Sequence, residues 1–286
     1  MFKRLLHFTF YISHFAFYIY SVYNSFQLAL KYLRYYFTAS NGKGHGMHSP
    51  FIFDFIVKVL NDKKQYPAYT IVEKLRHDLL NNSGVLTVKD FGAGSAIDKS
   101  SQRRISSIAK NAAKPAKYGQ LLFRMAQYYK PDTVLELGTS LGITTSYLSF
   151  ARPNSQVITM EGSSSIASTA CENFKKPELQ NIEMVEGNFD NTLAEVVNRA
   201  RTLDFVFLDG NHRLQPTVQY FNTILGKINS GSIVVVDDIH WSSEMEQAWQ
   251  AIKNHPSAKC SVDLFFIGII FFREEFHEKQ HFTIRF

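Results

Sequence analysis

The chain has 286 residues, 45% hydrophobic and 20% charged, a balance that buries a full core and excludes a disordered polymer. Its two cysteines, Cys171 and Cys260, exclude a disulfide framework or a cysteine-pair metal site and favour a reducing, cytoplasmic compartment. The net charge of +6 is modest but uneven: Asp54 is the only acid before Leu60, and none falls between Asp98 and Asp132.

Those basic runs read as solvated helix faces, with an anionic substrate, lipid or nucleic acid as the alternative. Leu5 to Leu30 contains no Asp, Glu, Lys or Arg and is dense in Phe and Tyr. A bilayer span takes about 20 apolar residues, but His7, His14, Asn24 and Gln27 are costly at that depth. Basic residues flank both ends, and no small-x-small cleavage site follows. Residues 1–38 are therefore read as an aromatic helix with three outcomes open: packing on the protein, pairing in a homodimer, or contact with a membrane surface. The last would add membrane association to a cytoplasmic location.

Residues 39–117 read as a helical accessory or lid region. Thr38 to Ser49 is a loop. Ser49-Pro50 starts a helix carrying Ile52, Phe55, Ile56, Val59 and Leu60 at helical spacing. His45 and His48 could ligate a metal, although loop capping is the commoner use of such a pair. A second helix runs from Ala68 to Leu80 and ends at Asn81 to Gly84. Val85 to Ser95, with Gly92 and Gly94, has the look of a nucleotide turn. No strand ending in an acid follows it, so it reads as a structural turn or part of a substrate lid.

Tyr118 to Tyr129 is amphipathic, and Lys130-Pro131 stops it. Val134, Leu135 and Leu137 then form a buried parallel strand. Gly138 ends the strand and Gly142 stands where the helix Ile143 to Phe150 begins. A strand, a glycine turn and a helix N-terminus make a nucleotide-type pocket at the carboxyl end of a sheet. The Gly-x-x-x-Gly spacing is not that of dinucleotide binders. Glu136, inside the strand, would repel a pyrophosphate and suits a ligand with a cationic amino group. A second strand, Val157 to Met160, ends in Glu161, an acid placed for the two hydroxyls of a ribose.

Val134 to Phe150 with Glu161 resembles the cofactor-binding half of class I S-adenosylmethionine-dependent methyltransferases. The resemblance extends from Leu121 to the C-terminus and is nearest to small-molecule O-methyltransferases of the catechol and caffeoyl-coenzyme A type. It implies S-adenosylmethionine as cofactor, held by Glu136, Gly138, Thr139, Ser140, Gly142 and Glu161. Ser163 to Ser165 caps a helix through Phe174, and Ile182 to Val185 is the third strand. Asn188, Phe189 and Asp190 follow it where the resembled families place the adenine. His45-Gly-Met-His48-Ser-Pro resembles a motif of bacterial relatives and is left without a role.

Leu203 to Leu208 is the fourth strand and Gly231 to Val236 the fifth, so Asp209, Asp237 and Asp238 share one rim. Three adjacent carboxylates need a cation or protons to offset them. Catechol-type enzymes bind Mg²⁺ with an Asp after the fourth strand and an Asp-Asn pair after the fifth. The resemblance thus implies a divalent ion on Asp209, Asp237 and Asp238. The alternative leaves Asp209 contacting cofactor and substrate, with no metal. Where the family has a lysine base, this chain has His212, which at its ordinary pKa of about 6.5 can serve as the base. Asp209 and His212 are the catalytic candidates.

A helix from Ser242 or Ser243 to Ile252 precedes Val262 to Phe266 and Gly268 to Phe272, read as a hairpin turning at Ile267-Gly268. His281 to Phe286 is a last extended segment. The expected fold is a Rossmann-like, doubly wound, mostly parallel seven-stranded sheet with a C-terminal antiparallel hairpin, preceded by helices. Residues 118–286 form its catalytic domain. The expected function is methyl transfer to a small-molecule hydroxyl, with no specific nucleic acid partner. Asp209-Gly-Asn-His lacks the Pro-Pro-aromatic platform of amino-methylating nucleic-acid enzymes. The alternative is an adenosyl-binding or membrane-associated module without catalysis.

Overall fold

The computed structural model describes residues 22–40, 42–44, 48–88, 101–112 and 114–286. The aromatic stretch before Val22, His45 and the Gly92 to Ser95 turn lie outside the described residues. The first helices are α1 (Ser25–Thr38), α2 (Pro50–Phe55), which runs on as a wider π turn through Leu60, and α3 (Pro67–Leu80). A small antiparallel pair follows, β1 (Val85–Thr87) and β2 (Gln102–Arg104), then α4 (Ile105–Ala112) and α5 (Ala116–Tyr129). The basic stretch after Asp98 was expected to be helical; it first contributes β2.

The rest alternates strand and helix: β3 (Thr133–Leu137), α6 (Ile143–Ala151), β4 (Gln156–Glu161), α7 (Ser164–Lys175), β5 (Ile182–Glu186), α8 (Phe189–Arg199), β6 (Phe205–Leu208), α9 (Leu214–Ile224), β7 (Ile233–Asp237) and α10 (Ser243–Lys253). Three more strands close the chain: β8 (Cys260–Asp263), β9 (Ile267–Phe271) and β10 (Gln280–Thr283). Together they form an eight-stranded sheet in the order β10-β8-β9-β7-β6-β3-β4-β5. From β7 to β5 every pairing is parallel, as expected for continuous apolar strands covered on both faces. Along β6, Phe205 and Phe207 enter the core beneath α5 and α6, while Val206 and Leu208 enter the core beneath α8, α9 and α10. The period of two splits each strand between two hydrophobic layers.

The C-terminal hairpin forms, but not where the glycine suggested. Leu264 to Phe266 makes the turn, with Phe265 at φ +71°. Gly268 lies inside β9 opposite Val236 and Asp263. Its lack of a side chain serves packing, since a Cβ there would come within 2.6 Å of the Trp249 ring. β10 pairs parallel with β8 and adds an eighth strand to the seven expected.

Helix α1 starts at an Asn24–Gln27 capping box. Its Tyr35 and the capping Ala39 pack on Phe265, and the Tyr35 hydroxyl donates to the Ile284 carbonyl at 2.5 Å. Lys31 and Tyr23 both donate to Glu246 of α10, at 3.0 and 2.7 Å. The described part of the N-terminal segment therefore packs on the protein. Phe26, Leu30, Leu33 and Phe37 form an exposed stripe on its other side. Among the described residues, no helix is long and apolar enough to cross a membrane.

Candidate active site

The sheet order reverses direction at β3. β4 and β5 lie on one side and β6 and β7 on the other, so the carboxyl ends of β3 and β6 flank a switch point where open α/β sheets bind ligands. The turn after β3 holds three residues with left-handed backbone: Gly138 at φ +102°, Ser140 at +48° and Gly142 at +83°. A Cβ on Gly138 would lie 2.0 Å from the Asp209 carbonyl oxygen, and one on Gly142 would lie 2.4 Å from the Phe174 ring. The glycines were expected to clear space for a ligand. Much of that space is taken by the protein itself, because the turn must lie flat against β6 and α7.

The two acids at the strand ends differ in kind. Glu136 is fully buried, its Oε2 accepting from Thr145 and, at 2.6 Å, from Thr159. Its Oε1 has no hydrogen-bond partner among the described residues. Burial pushes its carboxyl up to about 8 against the two threonine hydrogen bonds. Glu136, expected to meet a cationic ligand, is enclosed by the protein in this arrangement. Thr139 is also buried, its hydroxyl shared with Thr159 at 2.6 Å. Glu161 is only half-buried at the tip of β4, where it accepts from the Ser140 amide at 3.0 Å and the Ser163 amide at 2.9 Å. A carboxylate at a strand end is the residue type that accepts from ribose hydroxyls.

Beyond β5, Asn188 caps α8 by accepting from the Asp190 amide. Phe189 lies against Gly210 and edge-on to Tyr220, with ring centroids 6.0 Å apart. The Tyr220 hydroxyl donates to Asp190 at 2.7 Å, and burial with that bond lifts it to about 12. Sequence reasoning missed Tyr220, which reads as one more apolar position on α9.

The rim after β6 and β7 carries the most charge. Asp209, His212 and Asp237 hold their ligand-type atoms within 4.8 Å of one another. His212 Nε2 is 3.4 Å from Asp209 Oδ1. The converging set differs from the expected Asp209, Asp237 and Asp238: the left-handed backbone at Asp238, φ +53°, turns that residue toward a lysine. Lys114 places its Nζ 3.1 Å from Asp237 Oδ2 and in contact with Asp238 Oδ1. Burial alone would lower the lysine, but Asp237, Asp238 and Asp209 prevail and hold it charged. Burial also lifts the Asp237 carboxyl above its ordinary range, with Asp209 and Asp238 adding to the rise and Lys114 opposing it. His212 is raised too, since its bond to Asp209 and the charge of Asp238 outweigh burial. Its pKa therefore lies above the ordinary value expected for a neutral base. Lys114 was visible only as part of a basic run; no spacing ties it to Asp237 and Asp238 across more than 120 residues.

Residues 135–239 match the model of a family described as a methyltransferase domain. Over 124 residues the chain is 28% identical to a catechol O-methyltransferase of Niastella koreensis, covering 42% of this chain and 55% of that protein. Over 80 residues it is 30% identical to a tRNA (guanine-N(7)-)-methyltransferase of Mycoplasma mobile, covering 28% and 40%. The chain thus spans about half the length of the curated relatives it matches. Among solved structures, an S-adenosylhomocysteine-bound methyltransferase of Podospora anserina superposes with a TM-score of 0.56 at 15% identity, over 79% of this chain and 97% of that one. An O-methyltransferase of Bacillus cereus, also with S-adenosylhomocysteine, gives 0.51 at 16% identity over 73% and 92%. At these identities the likeness is one of fold. The matched residues include the switch-point turn, Glu161 and the rim; helices α1 to α5 lie before them.

Proposed function

We propose that this protein transfers a methyl group from S-adenosylmethionine to a hydroxyl oxygen of a small molecule. The observation that carries the reading is Glu161, a half-buried acid at the tip of β4 that accepts from the Ser140 amide of the left-handed turn at the switch point. The backbone of Gly138 to Gly142, Asn188 and Phe189 would line the rest of the cofactor cleft. When bound, S-adenosylmethionine supplies a methyl group already activated by a sulfonium. The chain's own task is to align the acceptor, exclude water and manage one proton. Asp209 orients His212, which takes the acceptor's proton in its neutral form, a form that the raised pKa shifts to higher pH. The name of the Niastella relative supports a small acceptor, whereas the tRNA enzyme matches a shorter share of this chain.

The rim is also where catechol-type enzymes would hold a divalent ion. Asp209, His212 and Asp237 converge closely enough, yet Lys114 already lies on Asp237 and Asp238. The set as arranged does not fit a metal, and no step is assigned to one. The exposed stripe of α1 supports a separate contact with a membrane surface or a second copy, which sedimentation with and without vesicles distinguishes.

Labelled S-adenosylmethionine incubated with phenols and other hydroxyl acceptors is expected to label at least one of them. Failure to bind the cofactor in calorimetry would end this reading, and label appearing on tRNA alone would redirect it.

A further inference from the structure

Asp209, Asp237 and Asp238 stand at the carboxyl ends of two adjacent strands, and Asp237 is 1% exposed. Such a cluster cannot carry its full charge without a counter-cation. The chain supplies one from a distance. Lys114 lies between α4 and α5, next to Pro115, which caps α5. The start of a long, well-buried helix thus sets where the lysine stands. Its ammonium meets Asp237 and Asp238 and also lies 5.9 Å from the centre of the Phe266 ring. A divalent ion on Asp237 Oδ2 would bind at about 2.1 Å, so it could sit no more than about 5 Å from the lysine nitrogen. Ion and ammonium compete for the same oxygens and repel each other in a poorly solvated place.

We propose that Lys114 is the resident cation of this rim, a tethered ammonium in the place where related enzymes would use a divalent metal. The inference deepens the methyltransferase reading by making the acceptor site independent of metal, and it rests on that reading for its catalytic meaning only. Asp237 Oδ1, buried with no partner among the described residues, is the oxygen that a metal could claim once the lysine is removed. The lysine side chain is 20% exposed, so the cluster can be reached from solvent.

The test is Mn²⁺ binding followed by electron paramagnetic resonance, on the full chain as wild type and as Lys114→Ala, Lys114→Met and Lys114→Arg. Wild type and Lys114→Arg are expected to show no saturable site. Lys114→Ala and Lys114→Met are expected to gain one, at least about tenfold tighter than any wild-type binding, with a melting temperature that Mn²⁺ raises only in those two. One Mn²⁺ bound by wild type as tightly as by Lys114→Ala overturns the inference. So does the absence of a site from every variant, because the lysine would then be displacing nothing. If the Ala and Met variants fail to fold, wild type and Lys114→Arg decide: a stoichiometric site in either overturns the inference, and none in both supports it. Calorimetry with S-adenosylmethionine on the same samples separates the two readings. A wild type that binds cofactor and Mn²⁺ loses only the lysine inference; one that binds neither loses the methyltransferase reading.

Discussion

Glu136 and Glu161 stand at the ends of neighbouring strands, and their environments give them opposite behaviour. Glu161 accepts from two backbone amides and is the acid proposed to meet the ligand. Its replacement by alanine should weaken S-adenosylmethionine binding by about tenfold to a hundredfold, the worth of hydrogen bonds to a charged group; titration calorimetry reads this directly. Burial raises the Glu136 carboxyl to about 8 from a reference of 4.5. The unfolded chain loses that proton earlier, so this residue costs stability progressively as pH rises from about 4.5 to 8. Glu136→Gln, which mimics the protonated acid, should gain on wild type over that range in chemical denaturation. An unchanged pH dependence would show that Glu136 is ionised in the fold. Gly138 is constrained by backbone alone: an alanine methyl 2.0 Å from the Asp209 carbonyl has nowhere to move. Gly138→Ala should cost about 3 kcal/mol or more, whereas Gly226→Ala, with nothing within 4 Å, should be nearly neutral.

At the scale of elements, α1 is held by a polar latch as well as by its aromatic face. His240 bridges Glu246 and Asp263 at 2.9 Å each, and its ring stacks on Phe265. Burial would lower His240, but the two carboxylates prevail and lift it to about 9. Burial likewise opposes the Glu246 carboxylate, yet bonds from His240, Tyr23 and Lys31 hold it down at about 2. The histidine's contribution is complete below its reference of 6.5 and is lost as pH rises through about 9. The glutamate's contribution is complete above 4.5 and is lost as pH falls toward 2. The latch should therefore be strongest between about pH 4.5 and 6.5. His240→Gln should cost about 1–2 kcal/mol there and much less at pH 9.5. Amide exchange in α1 is the measurement, since a loosened latch exposes that helix first.

For the whole molecule, the cleft exists because two halves of the sheet run outward from β3. A ligand that binds only this folded arrangement stabilises it, by about 2.7 kcal/mol at a hundredfold excess over its Kd. S-adenosylmethionine should raise the melting temperature by several degrees and NAD should not. Equal shifts from both would mean a cleft that does not distinguish a sulfonium from a pyrophosphate.

The alternation of apolar strands and amphipathic helices, the turn from Gly138 to Gly142 and the acids at 161, 209 and 237 were all legible in the linear chain. Local periodicity and strand ends are properties of neighbouring residues, and a parallel sheet brings its carboxyl ends to one rim whatever the loops do. Three things had to wait for tertiary structure. Burial decided that Glu136 is a core acid with a raised pKa while Glu161 stands half-buried at the tip of β4. The position of the Trp249 ring decided that Gly268 belongs to a strand and not a turn. The meeting of α5 with the rim decided that Lys114, a single member of a basic run, would neutralise Asp237 and Asp238. Desolvation and contacts across more than a hundred residues depend on where distant segments end up, and spacing along the chain carries no record of that.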